Sequence, residues 1–179
     1  MESEKTRGAV PAANRQLVVF VMAETEFGID IRHVREVIRV PDVTPMPRTP
    51  QFIEGIINLR GRILPVLDLK KRFGLPAADE TPLTRVMIVE WKGQTIGFLV
   101  DIVSEVLRVP ASNVVRPPDM ILTIAGQYLE GIVDVKDRLL ILLDMERILD
   151  QEEIRNLADM EIAEGPGPRS SVEGSHHGV

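Results

Sequence analysis

The feature that most constrains this chain is that it repeats itself once. Slid by 69 residues, QLVVFVMAETEFGIDIRHVREVIRVP (16–41) falls on RVMIVEWKGQTIGFLVDIVSEVLRVP (85–110) with seven of 26 positions identical, among them Gly28/Gly97, Val34/Val103, Glu36/Glu105 and Val37/Val106. Slid by 76, GIINLRGRILPVLDLKKRF (55–73) falls on GIVDVKDRLLILLDMERIL (131–149) with six of 19 identical, among them Gly55/Gly131 and Asp68/Asp144. The 7-residue change of offset places an insertion in the second copy between 111 and 130. Two copies of so long a period are not a solenoid, whose repeats are shorter and more numerous. The pattern predicts two similar small subdomains, 16–80 and 85–150.

Each copy has the same grammar. Two β-rich runs flank a polar turn, LVVFVM and FGIDI in the first copy, VMIVEW and TIGFLV in the second; this is hairpin spacing. A VxEV segment then runs to a Val-Pro, where proline cannot continue a ladder. A proline-bearing loop comes next, and a second hairpin turns at Arg60–Gly61 in the first copy and at Lys136–Asp137 in the second. Four or five short strands per copy predict an all-β chain of small closed barrels, paired so that each covers what the other leaves open. With 44% hydrophobic residues but only 4% aromatic, the core is expected to be aliphatic. Residues 1–15 read as an arm, DQEEIRNLADMEIAE (150–164) as a short C-terminal helix, and the remainder of 156–179 as an acidic tail of disordered composition.

The residues for catalysis are sparse. The chain has no cysteine, which removes disulfides, thiolate metal ligands and a thiol nucleophile. Between 16 and 149 stand one histidine, His33, and two serines, Ser104 and Ser112, without the grammar of a triad. No GxxxxGK[ST] or GxGxxG phosphate loop is present. Asp68 and Asp144 each come after an aliphatic strand, where an acid serves as a turn or helix cap. His176–His177 lack a third ligand nearby. The expectation is no catalytic residue, no cofactor and no metal.

Charge argues against nucleic acid. Of the net −6, −5 comes from residues 150–179, which hold seven acids against two arginines; the body at −1 has no pull on a phosphate backbone. No apolar run reaches the ~18–20 residues that span a bilayer, nor does the N-terminus carry an apolar leader; the expected compartment is the cytoplasm, without membrane insertion.

Two features are left. Val34 and Val103 occupy equivalent positions, each two before a glutamate, and are either ordinary core or the equivalent walls of a shared groove. Asn58-Leu59-Arg60-Gly61 in the first copy meets Asp134-Val135-Lys136-Asp137 in the second. Arg60 is then either a solvated hairpin charge or a guanidinium positioned on a carboxylate such as Glu36.

GIINLRGRILPVLDLKKRF resembles the NLRG-x-x-x-PV-x-DL signature of the CheW family, the adaptors of bacterial chemosensory arrays. FGIDIRHVREVIRV is similar to the segment preceding that signature, and DIVSEVLRVPASNVVRPP with YLEGIVDVKDRLLILLDMERIL to the family's second half. The resemblance covers about 15–155. It implies two intertwined five-stranded SH3-like barrels with short helices, and no enzymatic activity. It implies two partners: the cytoplasmic tip of methyl-accepting chemoreceptors, its helix in a groove between the subdomains, and the CheW-like regulatory domain of a CheA-type histidine kinase, held by exposed apolar residues at the barrel ends. Carried over, the receptor site comprises Val34, Glu36, Gly55, Asn58, Leu59, Arg60, Gly61 and Val103, with Glu36 the acidic partner of Arg60. An adaptor of a parallel pathway controlling pili, gliding or a second messenger fits the same residues. A small-barrel nucleic-acid binder is the rival of another class, opposed by the near-neutral body and the isolation of Tyr128 and Trp91.

Overall fold

The computed structural model describes residues 14–117, 124–150, 152–153 and 155–156. In chain order the elements are β1 Asn14–Met22, β2 Thr25–Asp30, β3 Val34–Arg39, β4 Ile53–Leu59, β5 Arg62–Asp68, α1 Leu69–Phe73, β6 Arg85–Trp91, β7 Gln94–Val100, β8 Ile102–Pro110, β9 Val114–Val115, β10 Leu129–Val135, β11 Arg138–Leu143 and α2 Met145–Ile148. The four hairpins turn where the sequence places them. Each tip holds two residues at positive φ: Ala23–Glu24, Arg60–Gly61, Lys92–Gly93 and Lys136–Asp137. This is the two-residue geometry that matches the right-handed twist of strands.

The strands form two mixed sheets that do not divide at the boundary between the copies. One sheet runs β3-β6-β7-β5-β4 and the other β8-β1-β2-β11-β10-β9. Each copy therefore lends its first hairpin to the other's sheet. The joint is parallel both times, β5 on β7 and β11 on β2. Closure comes from the strand after the exchanged hairpin. β8 starts on one edge of its sheet, turns through Ala111–Asn113, and its continuation β9 pairs with β10 at the other edge. Likewise the chain leaving β3 reaches Thr44, which exchanges two backbone hydrogen bonds of 2.9 Å with Ile56 in β4. Two small barrels result, five-stranded and six-stranded.

Because β1, β6 and β7 are covered on both faces, their sequences are nearly continuous apolar runs and not alternating ones. Leu17 and Val19 point into the second barrel with Val133, Leu140 and Leu142. Their neighbours Val18, Phe20 and Met22 point the other way, into a seam between the barrels shared with Phe27, Leu67, Phe73, Phe98 and Tyr128. The first barrel is filled by Ile57, Leu64, Val66, Val86, Ile88 and Leu99. Both barrel interiors are thus aliphatic, as expected, and the few aromatics collect in the seam, where Phe20 stacks on Phe27 and Phe73 on Tyr128 at centroid distances of 5.9 and 4.7 Å.

Asp68 and Asp144 are caps. The Asp68 carboxylate accepts from the Lys70 and Lys71 N–H groups at 2.8 and 3.3 Å, and Asp144 from Glu146 N–H at 2.9 Å. Burial pushes the Asp68 carboxyl above its ordinary value in spite of those donors. The C-terminal segment opens with a reciprocal capping box: Asp150 N–H donates to Glu153 and Glu153 N–H to Asp150, at 2.8 and 2.7 Å. Glu153 is also held by Arg72 at 2.8 Å, whose guanidinium lies 4.5 Å from the Phe52 ring centroid. Glu152, Glu153, Arg155 and Asn156 are helical; the rest of the expected helix, the tail and residues 1–13 lie outside the described residues.

β1 begins at Asn14, inside the stretch expected to be an arm, because Arg15 bridges Glu130 and Asp30. Asp30 is nearly buried and accepts from Arg32 three times, through N–H at 2.9 Å and Nε and Nη2 at 3.0 Å. Burial alone would raise its pKa, but the hydrogen bonds and charge of Arg32, with Arg15 behind, outweigh burial and hold the carboxyl below its usual range. The stabilisation is therefore complete above the unfolded value of about 3.9 and is lost as pH falls through the lower folded value. Asp30→Asn is expected to be less stable than the parent at pH 7 and to lose less stability between pH 5 and 2 in urea titrations; parallel acid profiles would contradict this.

Candidate protein-binding site

The two sheet edges β3 and β8 are equivalent in the repeat, and they flank a groove where the barrels meet. It encloses about 340 Å³ and is lined by Val34, Arg35 and Val37 from β3, by Val103, Ser104, Glu105 and Val106 from β8, and by Val18 and Ile31. Both strands carry a bulge at the same place, at Arg35 opposite β6 and at Ser104 opposite β1. A bulge adds one residue and so resets which side chains face outward. Val34 and Val103 serve both of the roles open to them: each packs partly on the seam, and each lines the groove. Val37 and Val106 stand more freely, 39% and 54% exposed. Such paired exposed valines in the mouth of a groove are a surface suited to an apolar partner.

The NLRG turn sits elsewhere. Asn58 Oδ1 accepts from Gly61 N–H at 2.9 Å, which fastens the hairpin tip. Arg60, at φ 52°, directs its guanidinium onto Glu36, donating through Nη1 and Nη2 to both carboxylate oxygens at 2.8 Å. Those hydrogen bonds hold the Glu36 carboxyl below its usual range and raise the arginine further. Arg60 remains largely exposed, so the fork presents a rigid charged surface. In the second copy the pairing differs: Glu105 takes Arg138 from β11, and Arg138 also lies 3.5 Å from Glu26.

Of the eight residues read as one site, the structure brings Val34 and Val103 into the groove. Glu36, Asn58, Arg60 and Gly61 form a second cluster at the tip of the β4–β5 hairpin, and none of these four lines the groove. Leu59 packs on the interior of the first barrel. Gly55 is buried in β4 at φ 149°, where a Cβ would lie 2.1 Å from the Thr44 carbonyl oxygen. Its place is fixed by barrel closure. Val37, Val106, Arg35 and Glu105 are groove residues that the sequence reading did not select; the identity of Val37 with Val106 in the repeat was the signal for two of them.

The catalytic candidates are placed in packing roles. The His33 ring meets Trp91 edge-on at 5.3 Å, and Ser104 donates its hydroxyl to the Val19 carbonyl at 3.2 Å. Among the described residues no three His, Asp or Glu side chains gather to hold a metal, and no helix is long and apolar enough to cross a membrane.

Fold and groove together define a double-barrel protein with an apolar groove between two equivalent sheet edges. The family model of the CheW-like domain matches residues 16–153, and the chain belongs to that family of scaffolds and coupling adaptors. The chemotaxis protein CheW of Treponema pallidum is 35% identical over 149 residues, which is 81% of this chain and 88% of that protein. The protein of the same name from Klebsiella aerogenes is 35% identical over 140 residues, 78% of this chain and 84% of its own length. Among solved structures, the crystal structure of the scaffolding protein TtCheW from Thermoanaerobacter tengcongensis superposes with a TM-score of 0.72 at 40% identity, covering 77% of this chain and 94% of that one.

Proposed function

We propose that this protein is a non-catalytic adaptor that couples the cytoplasmic tips of chemoreceptors to a CheA-type histidine kinase. The observation that carries the reading is the CheW-like match, which spans both barrels from end to end. The groove supports the receptor half. An apolar floor between two strands takes the apolar face of an amphipathic helix, the helix-in-groove mode. The Arg60–Glu36 fork supplies a second, charged contact beside the first barrel. The kinase half rests on the family alone. The adaptor works in the cytoplasm, recruited to membrane-associated arrays, where repetition turns weak pairwise contacts into avidity.

Co-elution or calorimetry with the CheW-like regulatory domain of the same organism's chemosensory kinase tests the reading directly. Saturable binding at about micromolar strength is expected; a folded, monodisperse sample that binds no such domain overturns the kinase half. Arg60→Glu places a second carboxylate against Glu36. It is expected to weaken recruitment to receptor clusters by roughly tenfold with melting close to the parent's. Unchanged recruitment sinks the assignment of Arg60, and a variant that unfolds makes Arg60 a structural residue.

A further inference from the structure

The repeat makes the groove nearly symmetric, and the departures from symmetry are informative. Val34 with Val103 and Val37 with Val106 are equivalent pairs on its two sides, so a pseudo-twofold axis passes through the groove. A helix laid on such a floor meets the same valines whichever way it runs. The walls do not share that symmetry. On β3 the bulge residue facing the groove is Arg35; its equivalent on β8 is Ser104. Glu36 and Glu105 are also equivalent, but Glu36 is turned to Arg60, whereas Glu105 lines the groove. One wall therefore shows a guanidinium and the other a carboxylate, each backed by its counter-ion: Arg35 by Glu90 at 2.7 Å, Glu105 by Arg138.

We infer that these walls fix the direction in which a helix lies in the groove. The inference rests on the helix-in-groove reading above. Turning a helix end for end on its apolar stripe exchanges its left and right flanks. A helix with acidic residues along one flank and basic residues along the other thus meets opposite charges on both walls in one direction and like charges in the reverse. The occupant is an amphipathic helix of that two-sided charge pattern, its acidic flank against β3 and its basic flank against β8. Rim charges of this sort select register and orientation more than they add affinity.

The test uses two synthetic helical peptides with a leucine stripe, glutamates on one flank and lysines on the other, one pattern being the mirror exchange of the other, each spin-labelled at its N-terminus. Binding to the full chain is read from the methyl signals of Val34, Val37, Val103 and Val106. The label is expected to broaden one member of each equivalent pair over the other by roughly ten to one, the scale of two rim pairs changing from attraction to repulsion, and the mirrored peptide to invert the preference. In Arg35→Ser/Glu105→Gln, which uncovers the counter-ions Glu90 and Arg138 on the same two walls, the preference of each peptide should be lost or reversed; a preference kept in the parent's sense overturns the inference. Equal broadening in the parent, with shifts confined to the groove, overturns the directional inference and leaves the helix-in-groove reading standing. Absence of any groove shift from either peptide overturns both.

Discussion

Gly55→Ala is expected to destabilise the chain by about 4 kcal/mol, the sum of a strained backbone and an overpacked site, and so to remove much of the stability a single domain has. The added Cβ would stand 2.1 Å from the Thr44 carbonyl oxygen, 2.7 Å from its carbon and 3.0 Å from Pro45 Cα. These are backbone atoms, and they belong to the bridge that closes the first barrel, so relief requires opening it. The φ of 149° adds a conformation that side chains rarely adopt. Gly61→Ala is the control: φ is 85°, but nothing lies within 4 Å of the added carbon, and about 1 kcal/mol is expected. Urea titration of the three proteins decides the matter. A Gly55→Ala midpoint close to the parent's would show that the closure at Thr44 is not rigid. Any loss of partner binding in a destabilised Gly55→Ala chain is a folding effect and not a lost contact.

Phe98→Ala should cost about 3–5 kcal/mol, and the loss should be felt in both barrels at once. Phe98 is fully buried in the seam and comes from β7, a strand of the second copy that sits in the first copy's sheet. Removing it leaves a cavity that neither barrel can close alone. Fluorescence of Trp91, in the first sheet, and hydrogen exchange at Leu140, inside the second barrel, are expected to report one transition, shifted by the same amount. Two separated transitions would mean that the barrels are independent domains.

Much of the fold was legible because the repeat checks itself. A hairpin tip seen in one copy could be tested at the offset position in the other, and all four tips stand where the offsets place them. The exchange of hairpins was not visible in the repeat, since an offset compares like with like and says nothing of which copy a strand pairs with. The seam explains the missing signal in the first hairpins: strands covered on both faces have no alternation from which to read a side. The site was legible in part. Val34 and Val103 both line the groove, and Arg60 is paired with Glu36, but the two pairs do not stand in one place. Glu36 stands two residues after Val34 and by strand alternation shares its face, but its carboxylate is held by Arg60, whereas Glu105, after the same bulge in β8, stays at the groove. Val37 joins Val34 in the groove instead, and Glu36 faces the hairpin tip.

The exchanged hairpins give the chain an unusual relation between its two halves. Neither half owns a complete barrel: β3, β4 and β5 of the first half need β6 and β7, and β8, β10 and β11 of the second need β1 and β2. The segment from Gly74 to Thr84 that joins them contributes no strand to either sheet. The halves are interlocked by pairing and not merely tethered, so the covalent link could be cut without separating them. A half-chain alone would meet the same need only by trading hairpins with a second copy of itself, as a symmetric pair. Within one chain the two sides are free to differ, and an arginine stands on one side of the groove where its equivalent on the other is a serine.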